Sequence, residues 1–202
     1  MAPVYKLSTS RLSSRTSYSS MLAGNAAFIP TSFESIATVT VGGGGVANVE
    51  FTSIPSTYTH LQVRIFGRTN RSDQNGDFFQ TTFNSDTGSN YSWHFLKGDG
   101  SSASANTGTT QSMMESNRVP GSLITASVFG TIIIDILDYT NTNKYTTIRS
   151  LGGFDGNGSG EIYLNSGSWR NTNAVTSIKF TNSGSRTIQQ YSHFALYGIK
   201  GA

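Results

Sequence analysis

Cysteine is absent from the 202 residues of this chain, and charged residues are scarce. The lack of cysteine excludes a disulfide framework and thiolate metal sites. Charged side chains make up 12% of the sequence, against about 25% in an average soluble domain. No apolar run approaches the ~18 residues that a membrane-spanning helix needs, and the first thirty residues lack the compact apolar segment of a signal peptide. We therefore expect a protein made in the cytoplasm, with no disulfides and no membrane insertion.

The positive charge of the chain is small and lies near its N-terminus. The formal net charge is +3, and Lys6, Arg11 and Arg15 occur in the first fifteen residues without an acidic neighbour. The other 11 of the 14 basic residues are balanced by 11 acidic ones. A surface that follows nucleic-acid phosphates needs a clustered stripe of Lys and Arg. We therefore do not expect nucleic-acid binding.

Short segments of alternating apolar and polar residues indicate strands. Such alternation runs through Ile36–Val41 and Val49–Phe51, with Gly42–Gly45 between them. Alternation interrupted by a glycine cluster predicts two antiparallel strands joined by a turn. A third segment, Leu61–Phe66, follows a corner at Pro55.

Eight further segments recur at a spacing of roughly ten residues, separated by Gly, Asn and Ser clusters, with no helical period. They are Phe78–Phe83, Tyr91–Leu96, Leu123–Phe129, Thr131–Leu137, Lys144–Leu151, Glu161–Leu164, Ala174–Phe180 and Tyr191–Ile199. The pattern predicts an all-β fold, a jelly-roll-like β-sandwich. The continuous apolar run Ile132–Ile134 predicts a central strand covered on both faces, and the polar stretch Asp99–Ser112 predicts a surface loop. The predicted core contains Leu61, Val63, Ile65, Ile132, Ile134, Ile178 and Phe180.

Four segments of this chain carry a resemblance to a known family. They are ESIATVTV at 34–41, EFTSIPSTYTHLQVR at 50–64, FNSDTGSNYS at 83–92 and SHFALYGIKGA at 192–202. Together they resemble small virion structural proteins of tailed bacteriophages, especially phages of aquatic bacteria. The resemblance implies a β-sandwich carried on the virion, in a tail or tail-fibre component on the host-facing side. The alternative is a capsid decoration protein that stabilises the phage head.

The first 32 residues differ in composition from the rest, so we divide the chain into an N-terminal arm, 1–32, and a sandwich domain, 33–202. The arm is basic and rich in Ser, with scattered apolar residues and no strict period. Such an arm can order against a neighbouring subunit, although a frayed terminus is the alternative interpretation. The predicted anchoring residues are Tyr5, Lys6, Leu7, Arg11, Arg15, Tyr18, Met21, Leu22 and Phe28.

No catalytic motif occurs in the sequence. The three histidines, His60, His94 and His193, each lie within or beside a strand segment, and there is no nucleophile elbow, HExxH motif or phosphate-binding loop. Asp155–Glu161 resembles the first half of a calcium loop, but the twelfth position is Ser166, where a bidentate Glu is needed. We therefore expect a non-enzymatic protein with no cofactor and no metal.

Two further expectations concern partners. Many Ser- and Thr-rich strands leave edges that need cover, which predicts a homo-oligomer, and we expect a trimer. The family resemblance implies contacts with other phage structural proteins as well. Binding of a host surface glycan is the remaining alternative, because an exposed aromatic ring is a typical sugar platform. The candidate glycan contacts are Trp169, Arg170, Asn171 and Trp93. Both tryptophans could instead be core or interface anchors.

Overall fold

The computed structural model describes residues 32–184 and 186–201, and the regular structure in those ranges is β. The strands are β1 (Phe33–Thr40), β2 (Val49–Phe51), β3 (His60–Gly67), β4 (Gly76–Phe83), β5 (Tyr91–Gly98), β6 (Ala103–Gln111), β7 (Met114–Pro120), β8 (Gly130–Leu137), β9 (Thr146–Asp155), β10 (Gly160–Trp169), β11 (Ile178–Asn182) and β12 (His193–Ile199). Within the same two ranges, no helix is long and apolar enough to cross a membrane.

The strands form two antiparallel sheets. The larger sheet has the order β1-β12-β3-β8-β9-β10-β5-β6, and the smaller one has the order β2-β11-β4-β7. Without β5, β6, β9 and β10, each sheet keeps four strands, in the orders β1-β12-β3-β8 and β2-β11-β4-β7. That arrangement is the eight-strand, two-sheet pattern of a jelly roll. The predicted all-β, jelly-roll-like sandwich is therefore confirmed.

Two hairpin insertions widen the larger sheet beyond the area that the smaller sheet covers. The β5–β6 hairpin lies between β4 and β7 in sequence, and β9–β10 lies between β8 and β11. Edge strand β7 of the smaller sheet packs beneath β8, β9 and β10, whereas β6 is exposed along almost its whole length. The insertions therefore give the larger sheet a broad surface that faces away from the sandwich.

The core lies between the sheets, where apolar side chains alternate inward along each strand. All seven predicted core residues are at most 3% exposed, so this prediction is confirmed. Aromatic rings fill the centre: Phe79 and Phe180 each pack against Phe194, with ring centroids 5.5 and 5.7 Å away.

The predicted hairpin between the first two strands is wrong. β1 pairs with β12 in the larger sheet, and β2 pairs with β11 in the smaller one. The glycine cluster Gly42–Gly45 therefore belongs to a connection that crosses from one sheet to the other. Alternation shows that a segment is extended, but it carries no information about which strand is the partner.

The strand predicted at Leu123–Phe129 is also wrong, since this segment consists of turns and irregular structure. The cause is Arg68, which is 7% exposed. Its guanidinium donates to the carbonyl oxygens of Ile124 (2.6 Å), Thr125 (3.1 Å) and Val128 (2.9 Å). These hydrogen bonds hold the segment in turns, in which its carbonyls are directed at the Arg68 guanidinium and at local N–H groups.

Two further expectations need correction. The predicted loop Asp99–Ser112 contains strand β6, although its side chains are exposed as expected for a surface segment. Ile132–Ile134 lies in β8, which is central in the larger sheet, but Ile133 is 42% exposed. No described residue covers the second face of this strand.

Candidate interaction surface

We call the side of the larger sheet that points away from the smaller sheet the outer face. Four aliphatic residues lie side by side across it, on β8, β9, β10 and β5. Ile133 is the Cα partner of Leu151, Leu151 of Leu164, and Leu164 of Leu96. Their side chains are 42, 51, 49 and 54% exposed, respectively. We call this set the aliphatic row.

Ile162 lies beside the aliphatic row and is 60% exposed. Its two Cα partners are Gly153 on β9 and Gly98 on β5. Because neither neighbour has a side chain, Ile162 protrudes with an open hollow on each side. The hollow at Gly153 is lined by Ile133 and Leu151 together with Phe129 and two carboxylates. The hollow at Gly98 is lined by Leu96, Leu151 and Leu164 together with Lys97 and Ala103. The surface is therefore apolar and also has relief, with one knob between two hollows.

A polar row borders the aliphatic row on the side away from Ile162. It consists of Gln62, Asp135, Arg149, Ser166 and His94, which are successive Cα partners across β3, β8, β9, β10 and β5. Gln62 Nε2 donates to Asp135 Oδ1 at 2.8 Å. The Arg149 guanidinium makes no hydrogen bond or ion pair with another residue of the described ranges, although it is the Cα partner of Asp135.

The sequence places apolar residues on both faces of these strands. In β8, Ile132, Ile134 and Ile136 point into the core, while Ile133 and Leu137 point outward. A half-solvated antiparallel strand normally carries polar residues on its solvent side. The outer face therefore departs from the pattern expected of a surface that stays in water.

The two tryptophans do not form an exposed platform, and this part of the glycan hypothesis is wrong. Trp169 is 1% exposed and Trp93 8% exposed. The Trp169 ring lies against Tyr91 and Phe83, with centroid distances of 6.4 and 5.6 Å. Trp93 lies over Gly108 on the neighbouring strand, so close that a Cβ on Gly108 would meet the indole at 2.5 Å. Both rings are structural anchors of the sandwich.

The other two candidate glycan contacts lie in the loop after β10. Arg170 is exposed and donates from Nη2 to the carbonyl oxygen of Ser89 at 3.0 Å. The Asn171 side chain accepts a hydrogen bond from the backbone N–H of Asn173 at 2.9 Å. Both polar side chains therefore stabilise the local geometry of the loop. Neither Trp93 nor Trp169 places an exposed aromatic ring beside them.

The predicted anchoring residues of the arm lie outside the described ranges. They are Tyr5, Lys6, Leu7, Arg11, Arg15, Tyr18, Met21, Leu22 and Phe28. Their role stays a prediction.

Several titratable side chains in the described ranges form local pairs, and the carboxylates of Asp99, Asp155 and Glu161 line one open hollow. His60 Nδ1 lies 3.3 Å from Asp138 Oδ1, and His193 Nδ1 lies 3.1 Å from Thr40 Oγ1. In the segment that resembles half of a calcium loop, the Glu161 carboxylate is bound by two cationic side chains. Residues 32–184 and 186–201 contain no group of three His, Asp or Glu side chains that could hold a metal ion.

A scan of protein-family models, a search of curated proteins and a search of solved structures each found no match to this chain. The structure alone therefore gives the class of this protein: it is an all-β sandwich in which one face of the larger sheet is apolar and is not covered by any described residue. The sequence carries one signal of this surface, the apolar run Ile132–Ile134, although the other members of the aliphatic row lie far from it along the chain. That run predicts cover on both faces, and the structure supplies it on one.

Proposed function

We propose that this chain is a non-enzymatic structural subunit of a tailed-bacteriophage virion, a tail or tail-fibre component on the host-facing side. The N-terminal arm, 1–32, would anchor it to the particle, and the sandwich domain would associate with itself as a homo-oligomer. The assignment to a phage particle is supported by the four segments between 34 and 202 that resemble virion proteins of tailed bacteriophages. The uncovered outer face supports a role in assembly.

The observation that carries this proposal is the contiguous apolar surface formed by Ile162 and the aliphatic row. Single exposed apolar residues are ordinary on protein surfaces. A contiguous patch with a polar border, in contrast, is typical of a protein–protein contact. Five large aliphatic side chains, each 42–60% exposed, form such a patch on one face of one sheet. This supports a subunit whose task is to bind other proteins.

Two further considerations favour assembly over a chemical or sugar-binding role. In the hollow lined by Asp99, Asp155 and Glu161, the Glu161 carboxylate is already bound by Lys97 and Arg118, which gives no support to an active site there. The burial of Trp93 and Trp169 removes the aromatic platform on which the glycan alternative depended. Jelly rolls are also common in viral coat proteins, but this is a likeness of fold alone.

Immunogold labelling of particles from the phage that encodes this chain tests the proposal. Antibodies against the sandwich domain, 33–202, should label the tail of intact particles. Label over the head would overturn the tail assignment in favour of the capsid decoration alternative. Particles that carry no label, from cells that contain the protein, would overturn the virion role itself.

A further inference from the structure

We propose that the outer face is covered by the outer faces of other copies of this chain, so that the aliphatic rows meet around a symmetry axis. This inference deepens the proposed function and rests on it only in taking the chain to be an assembly subunit. The occupant is another copy of the same chain, and the contact is made by β8, β9, β10 and β5.

The size of the surface suits a contact between subunits. Five adjacent strands, from β3 to β5, at about 4.8 Å spacing, and four outward residues along each strand, at about 6.7 Å, span roughly 20 Å by 20 Å. The accessible surface of such an area exceeds its projection because side chains protrude. The projection itself is about 400 Å², half of the ~800 Å² of accessible surface that each partner contributes to a standard interface, so the outer face suits a small contact that is repeated by symmetry. Sheets also pack face to face readily, at about 10 Å separation.

The shape of the outer face is complementary to itself. Ile162 protrudes, and the positions of Gly153 and Gly98 on either side of it are hollow. A contact about a two-fold axis brings the same patch of both copies together. An aliphatic knob from one copy can then enter the hollow at Gly98 of the next, whose lining includes Leu96, Leu151 and Leu164.

The charges on the polar row are complementary to themselves as well. Arg149 and Asp135 are neighbours on adjacent strands, yet the guanidinium has no ion pair with any residue of the described ranges. One oxygen of Asp135 accepts from Gln62, which leaves the other oxygen available. In a symmetric contact, Arg149 of one copy can therefore bind Asp135 of another, and the pair recurs in every copy.

Sedimentation equilibrium of the full chain and of the double variant Leu151→Lys/Leu164→Lys is the first test. The natural chain should associate at tens of micromolar, and the variant should associate at least about 100-fold more weakly, because two ammonium groups would be buried in an apolar contact. Both leucines are half-exposed, so circular dichroism should show an intact fold.

The matched control is Leu123→Lys. Leu123 is 56% exposed but lies in the turn before β8, so this variant should associate like the natural chain. A natural chain that stays monomeric at tens of micromolar would overturn the inference, as would a double variant that associates like the control.

A charge exchange tests the polar row separately from the apolar contact. Arg149→Asp alone should weaken association, because it places carboxylates of neighbouring copies opposite each other. The exchange Asp135→Arg/Arg149→Asp should restore association, because the two charges still meet across the contact. Because Asp135 and Arg149 are also neighbours within one chain, urea denaturation of the monomer is measured alongside: pairing between copies predicts that Arg149→Asp weakens association without a matching loss of monomer stability. An exchange variant that associates as weakly as the single variant contradicts pairing between copies.

The absence of native cysteine allows a direct proof of which surface is covered. With Leu164→Cys, mild oxidation should link copies through the introduced thiol, whereas Leu123→Cys should not link. If Leu164→Cys gives no linkage and the thiol of a monomeric chain resists alkylation, another segment of the same chain covers the face. That result would overturn the self-contact.

The two proposals fail in different experiments. A monomeric chain whose antibodies still label the phage tail would remove the self-contact and leave the virion role standing. A chain that associates through the outer face but is absent from particles would remove the virion role and leave the self-contact standing.

Discussion

The indole Nε1 of Trp169 donates a hydrogen bond to Oδ2 of Asp86 at 2.8 Å. Trp169 ends β10 in the larger sheet, and Asp86 lies in the turn between β4 of the smaller sheet and β5 of the larger. Tyr91 strengthens the same corner, because its hydroxyl donates to the backbone carbonyl of Asp86 at 3.0 Å. The pair therefore joins the two sheets at one end of the sandwich.

Trp169→Phe should destabilise the domain by about 1–3 kcal/mol at pH 7, because the partly buried Asp86 carboxylate loses a donor. Burial alone would raise the pKa of Asp86, but hydrogen bonds from Trp169, Asn90 and Gly88 outweigh it and lower the pKa. A depressed carboxyl pKa stabilises the fold above the unfolded value of about 3.9, and this contribution is lost as the pH falls through the folded value. Urea denaturation measures the free energy of unfolding of the natural chain and of Trp169→Phe. The difference between the two should become smaller as the pH falls into the acid range.

Trp93→Phe is the matched control for this prediction. Trp93 is also largely buried, but its indole makes no hydrogen bond within the described ranges. Trp93→Phe should lose stability through packing alone. The difference in free energy of unfolding between this variant and the natural chain should therefore be the same at pH 7 and pH 3. If both variants respond to pH in the same way, the Trp169–Asp86 bond is not the source of the acid sensitivity.

Two adjacent isoleucines of β8 test which face of the larger sheet is the core. Ile134 is 0% exposed and Ile133 is 42% exposed. Ile134→Ala should lower the free energy of unfolding by about 2–5 kcal/mol, because it leaves a cavity. Ile133→Ala should cost less than about 1 kcal/mol in the monomer. Denaturation at low protein concentration measures both, and equal losses would mean that the two faces have been assigned wrongly.

A cluster of charges joins the sheets at the β7–β10 contact. Arg118 Nη1 donates to both carboxylate oxygens of Glu161, at 3.0 and 2.7 Å, and Lys97 Nζ lies 2.8 Å from Oε1. The side chains of Glu161 and Arg118 are only 13 and 10% exposed. Glu161→Gln should therefore cost about 3 kcal/mol, because it leaves the guanidinium without its counter-charge.

The control for Glu161→Gln is Asp73→Asn. Asp73 also binds two arginines, Arg71 at 3.0 Å and Arg186 at 3.2 Å, but its side chain is 59% exposed. Ion pairs in water contribute little, since solvent screens the charges. Thermal denaturation should show a much smaller change for Asp73→Asn than for Glu161→Gln, and comparable changes would contradict a buried role for the cluster.

Alternation in the sequence was sufficient to predict the fold class and the seven core residues, because inward and outward positions differ in polarity along most strands. It failed at β7, where Ser116, Asn117 and Arg118 are buried. Most of their polar groups bind partners on other strands, such as Tyr163, whose carbonyl accepts from Asn117 and whose hydroxyl accepts from Arg118. Such long-range pairing leaves no local pattern in the sequence.

The interaction surface could not be predicted for a different reason. Apolar residues on both faces of a strand indicate that both faces are covered, but the sequence does not say by what. For Ile133 the described structure shows no cover, and only the strand order brings Leu151, Leu164 and Leu96 alongside it. Residues far apart in sequence form one patch through the insertion of β5 and β9–β10 into the larger sheet.

The last prediction concerns the N-terminal arm. If residues 1–28 anchor the protein, their deletion should leave the sandwich domain folded and abolish incorporation into particles. The predicted core begins after Pro30, whereas the apolar residues of the arm follow no period that the domain would use. Circular dichroism and thermal denaturation measure folding, and immunoblots of purified particles measure incorporation.

The basic residues of the arm give this prediction its control. Lys6, Arg11 and Arg15 would bind acidic groups on the partner, so changing all three to Glu should weaken incorporation, and the weakening should depend on salt because ions screen such contacts. Changing three polar arm residues, Ser8, Ser13 and Ser19, to Ala keeps the charge and should incorporate normally. A chain without residues 1–28 that still enters particles would show that the arm is not the anchor. Attachment to the particle would then have to come from the sandwich domain, where β6, exposed and free of charged residues, is the next segment to alter.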